Sequence, residues 1–165
     1  MKRTPLKRKS TKSTKSARSK ITEKADAAFS QYIRLKYADA YGNCRCISCG
    51  QYHPWKEIQN GHYMSRRYMS TRWSEDNCRP QCVACNIFNQ GAAQMFRLGL
   101  IKEYYDLYVL QGQSRDSAMQ NAEKRVSLTE VAARTQTAKY SEFEISAIAE
   151  FYSKEVERLK KEKGL

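Results

Sequence analysis

No stretch of the 165-residue sequence approaches the roughly 18 consecutive apolar residues of a membrane-spanning helix, and no apolar segment of a secretion signal follows the basic N-terminus. A membrane span is therefore not expected, and a reducing cytoplasm is. Acid is missing from the start of the chain: residues 1–20 hold nine Lys and Arg and no Asp or Glu. Histidine is scarce as well. Only His53 and His62 occur, so any chemistry that needs an imidazole near neutral pH has two candidates. There is no internal repeat, which excludes a solenoid or propeller.

What is present is positive charge. Thirty Lys and Arg against seventeen Asp and Glu give a formal charge of +13, so the natural partner is a polyanion such as DNA, RNA or an acidic membrane face. Beyond residue 20 the net charge is only +4. The excess is a tail, in which Lys and Arg alternate with Ser and Thr and little can be buried. Residues 1–20 are expected to be disordered alone and to lie along phosphates through Lys7, Arg8 and Lys9, each neutralised phosphate adding about one unit to the salt slope of binding. A merely solubilising tail is the plainer reading. The remainder, 21–165, suits one domain.

Six cysteines in a chain without a secretion signal favour thiolate ligation over disulfides. Cys46 and Cys49 form one Cys-x-x-Cys pair and Cys82 and Cys85 another, the spacing with which a tight turn presents two sulfurs to one tetrahedral zinc. Four thiolates leave no open coordination position, so such a zinc is structural. Cys44 could compete with Cys46, and Cys78 reads as a small buried hydrophobe.

The thirty-two residues between the pairs are long enough for a β-hairpin. Ile58–Met64 and Thr71–Asn77 are the two extended candidates, and Val83–Gln90 reads as a short helix ended by Gly91. An N-terminal helix is expected over 22–41, and helices fill 92–165. Within that region Ser114 caps a segment through Val126, and Ser127–Glu130 and Ser141–Glu144 both fit the capping box. Ile145, Ile148, Tyr152, Val156 and Leu159 then recur at steps of three and four as one apolar stripe. The fold class is α+β and mostly helical, with a core over 43–91 and helices on either side.

Within the core, His62 can deprotonate water, since a neutral imidazole is a base near pH 7. Asn77, on the opposing strand, is placed to accept the Nδ1 proton and leave Nε2 facing the water. Asn86 follows Cys85 directly and offers an amide oxygen of the kind Mg²⁺ accepts. Arg66, Arg67, Arg72 and Arg79 are candidate phosphate contacts, with Arg72 the foremost. Tyr68 and Trp73 could stack on unpaired bases, although burial is the default for Trp.

Cys46–Gly50, Gly61–Tyr63, Arg72–Asn77 and Gln81–Asn86 with Gly91 together resemble the phage lambda NinG/Rap recombination-nuclease family, itself similar to HNH nucleases of the ββα-metal fold. The likeness covers about residues 44–100. It implies Mg²⁺- or Mn²⁺-dependent cleavage of branched recombination intermediates such as Holliday junctions and D-loops, in a bacterial host carrying a phage or prophage. It also implies His62 as general base, Asn77 as the residue that orients it, Asn86 as ligand of the catalytic cation and Cys46, Cys49, Cys82 and Cys85 as zinc ligands. Many HNH sequences carry Asp immediately before the base. This chain has Gly61 there, with Asn60 one step back, so the second cation ligand is unassigned. A homodimer would suit paired cuts across a junction, and recombination proteins are candidate partners. The alternatives are a non-catalytic zinc-binding nucleic-acid module and a nuclease for ordinary duplex or single-stranded nucleic acid.

Overall fold

The computed structural model describes residues 16–165; the tail contacts expected at Lys7, Arg8 and Lys9 lie outside them. Helix α1 spans Ala17–Lys36, five residues earlier than expected at each end. Its start is set by Ser16, whose hydroxyl accepts the Ser19 N–H at 3.2 Å. Its end follows from the next segment, where Ala38 bridges to Cys44 and draws the chain into extended form. Residues 17–20, expected as tail, are thus the first turn of a helix.

Strands β1 (Asn43–Arg45) and β2 (Tyr52–Pro54) form an antiparallel hairpin whose tip carries Cys46 and Cys49. Gly50, at φ 77°, closes that tip by donating its N–H to the Cys46 carbonyl. Strand β3 (Gln59–His62) pairs antiparallel with β4 (Cys78–Gln81), with His62 opposite Cys78. The second strand is therefore not Thr71–Asn77. That segment makes successive turns, with Ser74 N–H to the Thr71 carbonyl and Asn77 N–H to the Ser74 carbonyl, ending in a 3₁₀ turn at Glu75–Asn77. Asp76 and Asn77 favour such turns, and extended pairing begins only after them.

The expected helix at 83–90 is a single wide turn of π type, Ala84–Phe88. Gln90, Gly91 and Ala92 follow with left-handed backbone, at φ 49°, 88° and 44°. Helices α2 (Ala93–Leu110), α3 (Arg115–Thr135) and α4 (Glu142–Lys163) complete the chain. Ser114 caps α3 as expected, but the box at Ser127–Glu130 caps nothing. It lies inside a continuous helix whose buried Ala122, Val126, Thr129 and Ala133 keep one stripe through it. At Ser141–Glu144 the box forms in full: Glu144 N–H donates to the Ser141 hydroxyl at 3.2 Å, and Ser141 N–H donates to the Glu144 carboxylate at 2.7 Å.

Two helix pairs hold the small sheets between them, α1 against α4 and α2 against α3. The α1–α4 side is cored by Phe29, Ile33, Leu35, Ile145, Val156 and Leu159. The α2–α3 side is cored by Phe96, Leu100, Tyr104, Ala122 and Val126. α1 and α4 run parallel: Arg18 donates to the Tyr140 carbonyl near their starts, and Lys163 donates to the Lys36 carbonyl near their ends.

Gly99 explains how α2 meets the cysteine-bearing hairpin. A Cβ there would overlap the carbonyl oxygen and side chain of Ile47. In an open helix Gly→Ala gains about 1 kcal/mol. Against a backbone carbonyl the overlap costs about 1–3 kcal/mol, so Gly99→Ala should lower the melting temperature, as thermal unfolding followed by circular dichroism would show.

Candidate active site and metal centre

The four expected zinc ligands converge. Sγ atoms of Cys46, Cys49, Cys82 and Cys85 all lie within 4.8 Å of one another, and Cys49 and Cys82 are 3.8 Å apart. Zinc–sulfur bonds of 2.3 Å in a tetrahedron put sulfurs about 3.8 Å apart, so the donor set fits Zn²⁺. Burial raises the Cys46 thiol, but backbone N–H groups, Cys82 first among them, outweigh it and bring it down to about 7. Cys44 and Cys78 stand outside the cluster. Both are fully buried, and the Cys44 thiol donates to the Arg34 carbonyl at 3.0 Å.

On β3 the side chains alternate. Gly61 faces Gln81 and Phe96 so closely that no Cβ fits, which rules this position out as a ligand. Asn60 and His62 face the other way, into a cleft of about 670 Å³ under α1 that Asp26, Ser30, Arg66 and Asn86 also line. His62 and Asn86 thus meet across one space. Asn86 donates its amide hydrogen to Gln59 Oε1 at 2.7 Å, which leaves Oδ1 as its acceptor atom. Asn60 Oδ1 is buried with no hydrogen-bond partner among the described residues, an acceptor whose capacity is unused.

The imidazole is held by Nε2, not Nδ1. Nε2–H donates to the Arg72 carbonyl at 3.1 Å, so the lone pair left for chemistry is on Nδ1. Burial lowers the His62 pKa, only partly opposed by the Arg72 carbonyl and Asp26, so the ring is neutral at pH 7. Asn77 does not touch it. Fully buried, Asn77 accepts Met64 N–H at 2.7 Å and donates to the carbonyls of Met64 (2.9 Å) and Thr71 (3.0 Å), clasping the two ends of the 63–77 loop. The Thr71 carbonyl it holds is one residue before the carbonyl that holds His62, so any influence of Asn77 on the ring runs through the loop.

The sequence model of one family, described as Bacteriophage Lambda NinG protein, matches residues 1–162. The chain belongs to the NinG family. Comparison with the curated proteins and with the solved structures gave no match.

In this NinG-family chain the four candidate arginines part company. Arg66 lines the cleft and is exposed, and Arg67 is exposed with its guanidinium 4.8 Å over the Tyr68 ring. Arg72 is not free for a phosphate: Nε and Nη2 donate to Asp26 at 2.9 and 2.5 Å, and Nη1 donates to the Arg66 carbonyl at 3.0 Å. Arg79 is only 4 % exposed and ion-paired with Glu103 at 2.6 Å, a strut of the core. Trp73 is buried and donates its indole N–H to Asp26 at 3.0 Å, so it stacks on no base.

Asp26 is the residue that sequence reasoning missed. It reaches from α1 to the loop whose carbonyl positions His62. Its one signal is being the lone charge between Ala25 and Ile33, flanked by buried Ala25, Ala28 and Phe29. Among the described residues no helix is long and apolar enough to cross a membrane.

Proposed function

We propose that this chain is a metal-dependent endonuclease that cuts branched DNA, such as Holliday junctions and D-loops. The observation that carries the reading is the shared cleft of His62 and Asn86, a neutral base and a hard oxygen donor on elements fixed by the cysteine cluster. Asn86 and Asn60 would hold Mg²⁺ or Mn²⁺ through their amide oxygens. Bound there, the cation neutralises charge building on the phosphate and on the leaving oxygen. Both amides are uncharged, so substrate phosphate and water would have to supply the remaining donors. His62 Nδ1 takes a proton from water, which attacks phosphorus as the bond to the 3′-oxygen breaks, leaving a 5′-phosphate. Arg66 binds a neighbouring phosphate, and the nine Lys and Arg of residues 1–20 add sequence-independent attraction for DNA. A symmetric pair of chains would deliver the two cuts that resolve a junction.

The full chain, incubated with end-labelled four-way junction, linear duplex and single-stranded RNA with Mg²⁺ or Mn²⁺, should cut the junction fastest and only with metal. Binding without cutting would replace this reading with a zinc-binding recognition module. Equal rates on junction and duplex, or faster cutting of RNA, would replace it with a general nuclease.

The lowered His62 pKa sets the pH dependence. Burial disfavours imidazolium, so the base stays unprotonated to lower pH than an ordinary histidine. The cleavage rate should therefore rise with pH through a midpoint below that of an ordinary histidine and then level off, as single-turnover rates across pH 5–8 would show.

A further inference from the structure

We propose that Ile87 and Phe88 form a wedge that takes an unstacked DNA base beside the scissile phosphate. The inference rests on the nuclease reading for where that phosphate lies. From Pro80 to Phe96 the sequence contains no charged residue, in a chain that is 28 % charged. Much of this run is exposed, with Ile87 at 55 %, Phe88 at 77 % and Met95 at 52 %, alongside the exposed amides of Asn89, Gln90 and Gln94. It forms one rim of the cleft, which Ile87, Gln90 and Ala93 line, whereas Arg66 gives the rim it stands on a positive charge, Asp26 of the lining being neutralised by Arg72.

The two rims suit different parts of one ligand. Phosphates are drawn to the cationic rim, and a neutral rim of aromatic, aliphatic and amide groups offers them nothing. Such groups fit the faces and edges of bases. Ile87 follows Asn86 and lines the same cleft, and Phe88, next in the turn, stands exposed just outside that lining, so a nucleotide flanking a phosphodiester held at Asn86 meets Ile87 first and Phe88 at the edge.

The turn is braced outward. Gly91 N–H donates to the carbonyl of the zinc-ligand candidate Cys85 at 3.0 Å, and Gln81 Nε2 donates to the Gly91 carbonyl at 2.7 Å. Those two bonds hold the left-handed run of Gln90, Gly91 and Ala92, a conformation that non-glycine residues keep only where their surroundings enforce it. Phe88 therefore stands in solvent on a fixed platform. A linear duplex keeps its bases stacked, and a branch point surrenders one at lower cost. The wedge thus gives the cleft its preference for branched DNA.

The test uses full-length His62→Ala protein, so that binding is read without cutting. Its ligands are a four-way junction with 2-aminopurine beside the crossover and a linear duplex of the same sequence. Phe88→Ala in that background should weaken junction binding about tenfold, abolish the 2-aminopurine fluorescence change and shift duplex binding less than twofold. Phe88→Trp should preserve both signals. Unchanged junction binding by Phe88→Ala overturns the wedge. So does a change in sedimentation mass with Phe88→Ala, which would mean that a second copy of the chain covers this rim. Cleavage by the parent protein that ignores Phe88 sinks the wedge alone. A base signal that depends on Phe88 in a protein that never cuts upholds the wedge and sinks the nuclease reading.

Discussion

Replacing His62 with alanine should slow metal-dependent cleavage of a four-way junction by about 10²- to 10⁴-fold, the usual contribution of a positioned general base, while junction binding holds. Among the described residues lining the cleft, no other group can take over the proton. Asp26 is occupied by Arg72 and Trp73, and burial together with Glu130 pushes the Tyr63 phenol up to about 12. Removing the ring also leaves the Arg72 carbonyl with only the weak, long contact from the Cys78 thiol at 4.0 Å, at a cost of about 1 kcal/mol or more. His62→Gln, which can restore a donor there, separates the two effects. Both variants should lose cleavage, and His62→Gln should melt closer to the parent. Cleavage by either variant at the parent rate would remove His62 from the mechanism.

Stripping the metal from the four cysteines should abolish the chain's cooperative thermal transition. A structural zinc in small modules is worth about 10–16 kcal/mol at pH 7, as much as the whole stability of an ordinary domain. The effect is large because the cluster joins the tip of the β1–β2 hairpin to the turn after β4, and that turn carries Asn86. No disulfide is available to replace it, since all six cysteines are free. Mercurial titration with a zinc-sensitive dye should release one Zn²⁺ per chain as the circular dichroism signal collapses. Cys85→Ser should reproduce that collapse. Full structure in a metal-free protein would show the cluster to be dispensable.

The cysteine cluster was legible because a two-residue spacer forces two sulfurs onto one turn whatever lies around it. The Ser141 box was legible for a similar reason, since both bonds form within four residues. The second strand was misplaced because Thr71–Trp73 looks extended by composition, and the partner register that starts pairing at Cys78 depends on contacts sixteen residues away, at His62. Ser127–Glu130 misled in the opposite sense: the pattern is local, but the buried stripe through Val126 and Thr129 outweighs it. In the candidate site, that His62 and Asn86 share one cleft could be anticipated from their places beside the cysteine pairs. Which ring nitrogen is free could not, because it depends on a carbonyl at Arg72 that the loop folds back to deliver. Asp26 acts on residues forty-six and forty-seven positions away, a separation no spacing rule reaches.

The clasp of α1 by α4 has a consequence for biosynthesis. The bond from Arg18 to the Tyr140 carbonyl spans 122 positions, so the apolar stripe of the first helix waits, uncovered, until nearly the entire polypeptide has left the ribosome. The four clustered cysteines, by contrast, have all been made by residue 85. A ribosome halted before α4 would thus release a fragment that holds all four clustered cysteines yet is sticky along Phe29 and Ile33, a ready client for chaperones and proteases.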